Sequence, residues 1–162
     1  MLIHMDAAYN LATWLLRDRH EAEDAVQDAY MRAYKSFDRF RGGDGRAWLL
    51  TIVRNVSYSK LRQNRRSPKE VAFEDEVHGS AEDTASAVAW SEVRSELLQK
   101  GLERLPPEFR EVIVLHEIEG LAYREIASIS GIPIGTVMSR LSRARGRLQA
   151  EVLSLAGEKT TQ

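Results

Sequence analysis

The 162-residue chain has no cysteine, which excludes a disulfide, a thiol switch and a thiolate zinc site. Its four histidines, His4, His20, His78 and His116, are too scattered to suggest a metal cluster. Long hydrophobic runs are missing as well: no apolar stretch approaches the roughly 20 residues that a bilayer-spanning helix needs. The N-terminus also lacks the basic segment and apolar core of a secretion signal, so the expected location is the cytoplasm. Proline is scarce, at four residues, and no segment of the N-terminal half alternates apolar and polar residues as a half-buried strand would. The expectation is an all-α fold. No defensible Ser-His-Asp arrangement occurs, and carboxylate pairs such as Glu23/Asp24 fall on a solvated helix face. Neither nucleophilic nor general acid–base catalysis has a constellation to work with, so the chain reads as a non-enzyme that needs no cofactor.

An excess of charge of one sign is also lacking, since 23 Lys/Arg stand against 24 Asp/Glu for a net charge of −1. Taken alone, that balance argues against a nucleic-acid binder. The distribution along the chain reverses the argument. Residues 1–66 carry 12 Lys/Arg and 8 Asp/Glu, residues 67–91 carry 1 and 6, and residues 92–162 carry 10 and 10. The acidic middle contains Pro68, Glu74, Asp75, Glu76, Gly79, Ser80 and Asp83 with little periodicity, and reads as a flexible linker. Two small helical domains are expected to flank it: residues 1–66 and 85–162, joined by residues 67–84.

The most informative segment is Tyr123 to Arg147, YREIASISGIPIGTVMSRLSRARGR. It reads as a short helix, a turn at Gly131, and a helix with four arginines and no acid, the way a helix-turn-helix presents a reading helix to the major groove. At about 100° per residue, Val137, Leu141, Ala144 and Leu148 share one stripe. Thr136, Ser139, Arg140, Arg143 and Arg147 lie roughly opposite, free to meet phosphates and base edges, while Met138 and Arg145 point elsewhere. Ile126 and Ile129 supply the packing face of the preceding helix, and Pro133 suits a first helical turn. A basic amphipathic helix with a merely solvated face is the competing interpretation; the turn, the proline and the Thr/Ser/Arg spacing together weigh against it.

In the N-terminal half, apolar spacing predicts helices from about Asp6 to Leu16, from Asp18 to about Phe37, and from about Ala47 to Asn64. Asp18 with Glu21 three residues on resembles a capping box. On the second helix Ala22, Ala25, Val26, Ala29, Tyr30 and Ala33 form the buried stripe. Asp24, Gln27, Asp28 and Met31 then share the outer face at i, i+3, i+4 and i+7, an acidic, partly apolar surface suited to a protein partner or to plain solvation. Between the second and third helices, Asp38-Arg39-Phe40-Arg41-Gly42-Gly43-Asp44-Gly45-Arg46 is a Gly-rich loop with one aromatic and three arginines. Such a loop can hold a single strand, with an extruded base stacked on Phe40 and read by the Asn55 amide. A nucleotide cradle is disfavoured, because neither GxxxxGK[ST] nor GxGxxG spacing is present and no strand precedes the loop. Arg54, Lys60, Arg62, Arg65 and Arg66 load the third helix with charge useful along a DNA backbone, or simply complement its dipole.

AEDAVQDAYMRAY, FDRFRGGDGRAWLLTIVRN, LERLPPEFREVIVLHEIEGLAYREIA and GIPIGTVMSRLSRARGRL resemble, in order, the successive signatures of the extracytoplasmic-function (ECF) group of bacterial RNA polymerase sigma factors. The resemblance covers most of the chain outside the linker. It implies that domain two binds the clamp of core RNA polymerase and opens the minus-ten promoter element, while domain four reads the minus-thirty-five element. It assigns Asp24, Gln27 and Asp28, with Met31 on the same face, to the polymerase. Phe40 and Asn55, with Arg41 and Arg62 beside them, go to the minus-ten DNA, and Ser139 and Arg143, with Thr136, Arg140 and Arg147, to the minus-thirty-five duplex. An anti-sigma factor is an implied partner.

Departures from the family pattern are specific. Met138 stands where Lys or Arg is usual, His116 and Ser142 occupy variable DNA-contacting positions, and the loop FRGGDGRAWL is about one residue short and lacks a second aromatic. The first helix is expected to begin almost at Met1, so that either part of the family's usual N-terminal helix is missing or the start is misplaced. Two rivals stay in view: a sigma-mimicking adaptor that binds an anti-sigma protein without DNA, and a self-sufficient helix-turn-helix repressor. The first has no use for the basic reading face; the second leaves the Asp24/Gln27/Asp28 face and the Arg-rich loop without a task.

Magnitudes favour action with polymerase. About four phosphate contacts with a log–log salt slope of roughly −0.9 each give about a hundredfold loss between 50 and 200 mM salt, so independent promoter binding is weak and tethering matters. A linker of about 18 residues extends to roughly 60 Å at about 3.3 Å per residue, which covers between one and two turns of B-DNA at about 34–36 Å each.

Overall fold

A computed structural model describes residues 2–40, 42–66 and 87–160. The expected linker at 67–84 and Arg41 lie outside the described residues. Seven α-helices carry the described fold, with no strand among the described residues.

Helix α1 (Met5–Leu16) follows a 3-10 turn at Leu2–His4. It buries Ala7, Ala8, Leu11, Ala12, Leu15 and Leu16, the i, i+3, i+4 stripe of an amphipathic helix. The chain leaves it through Arg17 in the left-handed region (φ 59°), and Asp18 then caps α2 (Arg19–Lys35). One carboxylate oxygen of Asp18 accepts from the N–H groups of His20 (2.9 Å) and Glu21 (3.2 Å), which satisfies donors that a helix start leaves unpaired. Glu21 makes a different contact from the one a capping box requires: its carboxylate takes the Asn64 amide at 3.0 Å, tying the start of α2 to the end of α3.

Helix α2 stops two residues before the expected Phe37 because Ser36 turns and Phe37–Arg39 tightens into a 3-10 helix. Helix α3 (Gly45–Arg66) starts two residues before Ala47 because Asp44 caps it, accepting from Arg46 N–H (3.0 Å) and Ala47 N–H (3.3 Å). The intervening Gly42 and Gly43 sit at φ 80° and 99°, backbone that residues with a Cβ rarely adopt. Helices α1, α2 and α3 pack around Leu11, Leu15, Ala25, Ala29, Leu49, Leu50 and Val53, each at most 1% exposed.

The C-terminal half contains α4 (Ala87–Glu103), α5 (Pro107–Ile113), a π-helical turn (Val114–Ile118), α6 (Tyr123–Ser130) and α7 (Ile134–Thr160). Gly101 lets α4 lie against α7, since a Cβ there would come within 3.0 Å of Leu148 and Val152. Pro107 occupies the first turn of α5, where its missing N–H costs nothing. The π-turn is the least regular element, and it ends at Glu119, whose N–H donates to the Val114 carbonyl (2.9 Å). It separates two acids by direction: Glu117 reaches α7, and Glu119 reaches α1 and α3.

The two halves pack on each other. Helix α3 lies against α6, α1 lies against α5, and one apolar cluster runs through both. Arg110, 4% exposed, crosses the seam, donating to the carbonyls of Leu15 (3.2 Å), Leu105 (2.9 Å) and Glu103 (3.2 Å). Burial first, then the nearby Arg17 charge, lowers its guanidinium to about 10.

Because two N–H groups depend on one carboxylate oxygen, Asp18→Ala is expected to destabilise the protein by about 1 kcal/mol. In urea this is a lower midpoint at unchanged slope; an unchanged midpoint contradicts the capping role.

Candidate nucleic-acid and protein interfaces

Helix α7 is presented by a tight turn. Gly131 is left-handed (φ 67°, ψ 37°) and its N–H closes on the Ala127 carbonyl, a common glycine helix ending. Pro133 stands just outside the helix instead of within its first turn; its carbonyl accepts from Thr136 (3.0 Å) and Val137 (3.1 Å). On the preceding helix Glu125 reaches back to the Ala122 N–H (3.3 Å), half of a capping box, since alanine offers no acceptor.

Val137, Leu141 and Ala144 are buried against α5 and α6, with Ile126 and Ile129 opposite and Leu148 half-buried. The other side of α7 faces outward. Ser139, Arg143 and Arg147 are exposed, and Thr136 and Arg140 half-buried. The Ser139 hydroxyl donates to the Gly135 carbonyl (3.0 Å), and the Arg147 guanidinium lies 5.9 Å from the Phe109 ring centroid. Arg145 points away and is held by Glu117 (2.9 Å), so its charge is not available to that face. Met138 is 53% exposed.

On α2 the outer stripe is unencumbered: Asp24, Gln27, Asp28 and Met31 are all exposed. Tyr34 (78% exposed) and Phe37 (53%) extend its apolar end beyond what the sequence reading identified. Their one-turn spacing after Met31 was the available signal, obscured because aromatic residues are more often core.

Asn55 is exposed and lines an open pocket of about 330 Å³ with Ile52 and with Arg32, Lys35 and Ser36 of α2. Phe40 is not among its walls; it stacks against Trp48 (centroids 4.8 Å apart) and lies 6.4 Å from Phe37. The pocket therefore joins the Asn55 amide to two cations from a different helix, which no local pattern could have linked to Asn55. Arg62 is exposed and donates to Ser59 Oγ (3.2 Å).

Arg46 and Arg54, expected along nucleic acid, are engaged elsewhere. Arg46 donates to the carbonyl (2.6 Å) and the carboxylate (3.1 Å) of Glu119. Arg54 pairs through Nε with the fully buried Glu111, which also accepts from Tyr58 (2.9 Å) and Ser130 (3.0 Å). Three donors satisfy a carboxylate whose unpaired burial would be prohibitive. The Arg54 guanidinium also lies 4.3 Å from the Tyr58 ring centroid. Burial, and then the Glu111 charge, push the Tyr58 phenol far above the usual tyrosine range.

Comparison with known proteins matches this two-part arrangement. The family model for Sigma-70 region 2 matches residues 2–67, and that for Sigma-70, region 4 matches residues 95–148. The ECF RNA polymerase sigma-E factor of Escherichia coli is 34% identical over 144 residues, covering 83% of this chain and 75% of that protein. The ECF RNA polymerase sigma factor SigE of Mycolicibacterium smegmatis is 37% identical over 147 residues, 90% of this chain; the chain spans 57% of that longer relative. Among solved structures, the sigma factor RpoE of Bartonella quintana, in complex with the anti-sigma factor NepR, is 35% identical. It superposes with a TM-score of 0.76 over 94% of this chain and 93% of its own. The chain belongs to the ECF group of RNA polymerase sigma factors.

The raised Tyr58 pKa fixes the sign of a pH effect. Above about pH 10 the unfolded chain releases the phenol proton while the native chain keeps it, so Tyr58 makes stability fall with rising pH. Tyr58→Phe should lower stability at pH 7 by about 1.5–3 kcal/mol, the range for a hydrogen bond to a charged group. The deficit relative to wild type should shrink above pH 10. Parallel urea curves at pH 7 and 10.5 with a constant deficit would show that the phenol proton is not held by Glu111.

Proposed function

We propose that this chain is a dissociable promoter-specificity subunit: residues 1–66 join core RNA polymerase and open the minus-ten element, and residues 85–162 bind the minus-thirty-five duplex. The residues between, 67–84, act as a tether. The observation that carries this is the pairing, in one chain, of an exposed acidic and apolar face on α2 with an outward basic face on α7. A partner-only adaptor has no use for the second, and a lone repressor none for the first.

Asp24, Gln27, Asp28 and Met31 contact the polymerase clamp, with Tyr34 and Phe37 adding apolar area. Carboxylates suit a basic partner surface and set encounter rate and register, while desolvated Met and aromatic side chains hold the complex together. Arg140, Arg143 and Arg147 hold phosphates, and Thr136 and Ser139 approach base edges. At the minus-ten element, Asn55 reads an extruded base over Ile52. Arg32 and Lys35 of the same pocket, with Arg41 and Arg62, neutralise the strand, and Phe40 offers its ring from the Trp48 stack. The work is binding and DNA deformation in the cytoplasm, without catalysis of its own. None of the described helices is long and apolar enough to cross a membrane. An anti-sigma factor is the expected antagonist, in keeping with the RpoE relative solved with NepR.

The two surfaces should separate in experiment. Arg143→Ala is expected to cut promoter-directed transcription and to lower the salt slope of DNA binding by about one, while co-purification with core polymerase is retained; loss of co-purification argues against this division. The pair Asp24→Ala and Asp28→Ala should do the reverse, weakening polymerase binding with the thermal melt unchanged. An early melt would assign these residues to the fold.

A further inference from the structure

The first two turns of α7 expose two large apolar side chains: Ile134 is 42% exposed and Met138 53%, while Val137 and Leu141 beside them are buried. Single exposed apolar residues are ordinary. These two lie one turn apart along one edge, at about 100° per residue, and the helix around them is unusual. Next to Met138, at i−4, i−3, i+1 and i+4, stand Ile134, Gly135, Ser139 and Ser142, all exposed and all uncharged. Gly135 is a second, independent observation. A Cβ added there meets nothing within 4 Å, so no packing inside the protein calls for a glycine. Its helical backbone does not require one either, and a glycine in a helix costs stability relative to alanine. Bare backbone at an exposed helix start suits close approach by another molecule. The surrounding charge points to a polyanion, since from Ile134 to Ala150 the helix has four arginines and no acid. Arg145, the arginine on the Met138 edge, is held by Glu117 (2.9 Å). That edge therefore presents methyl, methylene and hydroxyl groups beside the exposed Arg143. The major-groove feature that matches an apolar edge is the C5-methyl group of thymine.

We propose that Met138, with Ile134 one turn before it, reads thymine methyl groups in the minus-thirty-five duplex, and that Gly135 lets the start of α7 come close enough for the contact. The proposal rests on the sigma reading above and adds the base that this edge selects. A reading helix places its N-terminal residues against base edges, which is where Ile134 and Met138 stand. Arginines on phosphates give affinity without sequence information; an apolar contact to one methyl group discriminates. The methionine side chain is unbranched and polarizable, so it follows a methyl group without demanding a fixed geometry. It also leaves no strong donor or acceptor unpaired when water is expelled from the groove. A lysine at the same place would select guanine instead, through O6 and N7.

The test removes the methyl group and nothing else. Promoter-length duplexes of random sequence are selected on holoenzyme assembled from core RNA polymerase and the full chain. Each thymine in the upstream block of the enriched duplex is then replaced singly by deoxyuridine, which pairs identically but lacks the C5-methyl, and relative affinity is read by competition. At one or two positions the loss should be about fourfold, the factor that corresponds to burying one methyl group. Met138→Ala should bind the thymine and deoxyuridine duplexes alike, with co-purification and thermal melt unchanged because the side chain is exposed. Met138→Lys, selected afresh, should replace thymine by guanine at that position. Equal affinity for thymine and deoxyuridine at every position overturns the proposal, and so does a deoxyuridine penalty that survives in Met138→Ala. A Met138→Ala variant that loses core polymerase yet keeps the thymine preference assigns the edge to a protein partner and overturns it as well. If holoenzyme enriches no duplex, the sigma reading fails and takes the proposal with it; an enriched duplex indifferent to the methyl group sinks the proposal alone.

Discussion

A buried carboxylate constrains the whole arrangement. Glu111 has no exposure, and its three partners come from two elements on opposite sides of the seam: Arg54 and Tyr58 from α3, Ser130 from α6. A charge so placed tolerates little freedom, because each donor withdrawn returns part of a desolvation cost of several kcal/mol. The orientation of α3 relative to the helix-turn-helix is therefore set by polar geometry as much as by apolar area. Arg110 next to it adds the same kind of constraint through three backbone carbonyls. Ion pairs of this sort contribute little net stability, yet removing one partner is strongly destabilising because it leaves a buried charge uncompensated.

The π-turn that follows explains how a domain with as many acids as bases offers a basic face. By ending the α5 region irregularly, it turns Glu117 toward Arg145 and Glu119 toward Arg46. Each acid is thereby matched with an arginine that lies off the Ser139/Arg143 face of α7. Arg140 and Arg143 are left facing outward with no carboxylate within ion-pair distance among the described residues. Local charge sorting, invisible in a net charge of −1, is what gives a near-neutral chain an outward basic face.

The parts legible in the sequence are those governed by short periods. The stripe of Val137, Leu141 and Ala144, the outer face of Asp24, Gln27, Asp28 and Met31, the Gly131 turn and the Asp18 cap all follow from spacing within one or two turns, and each lies where the spacing puts it. Helix ends moved by about two residues where one side chain decided them, as Asp44 does for α3. What could not be read is tertiary. The pairing of Arg54 with Glu111 spans 57 positions and that of Arg46 with Glu119 spans 73, and charge runs carry no record of the partner they find. The same holds for the Asn55 pocket, whose cations come from α2, and for Phe40, which lies against Trp48.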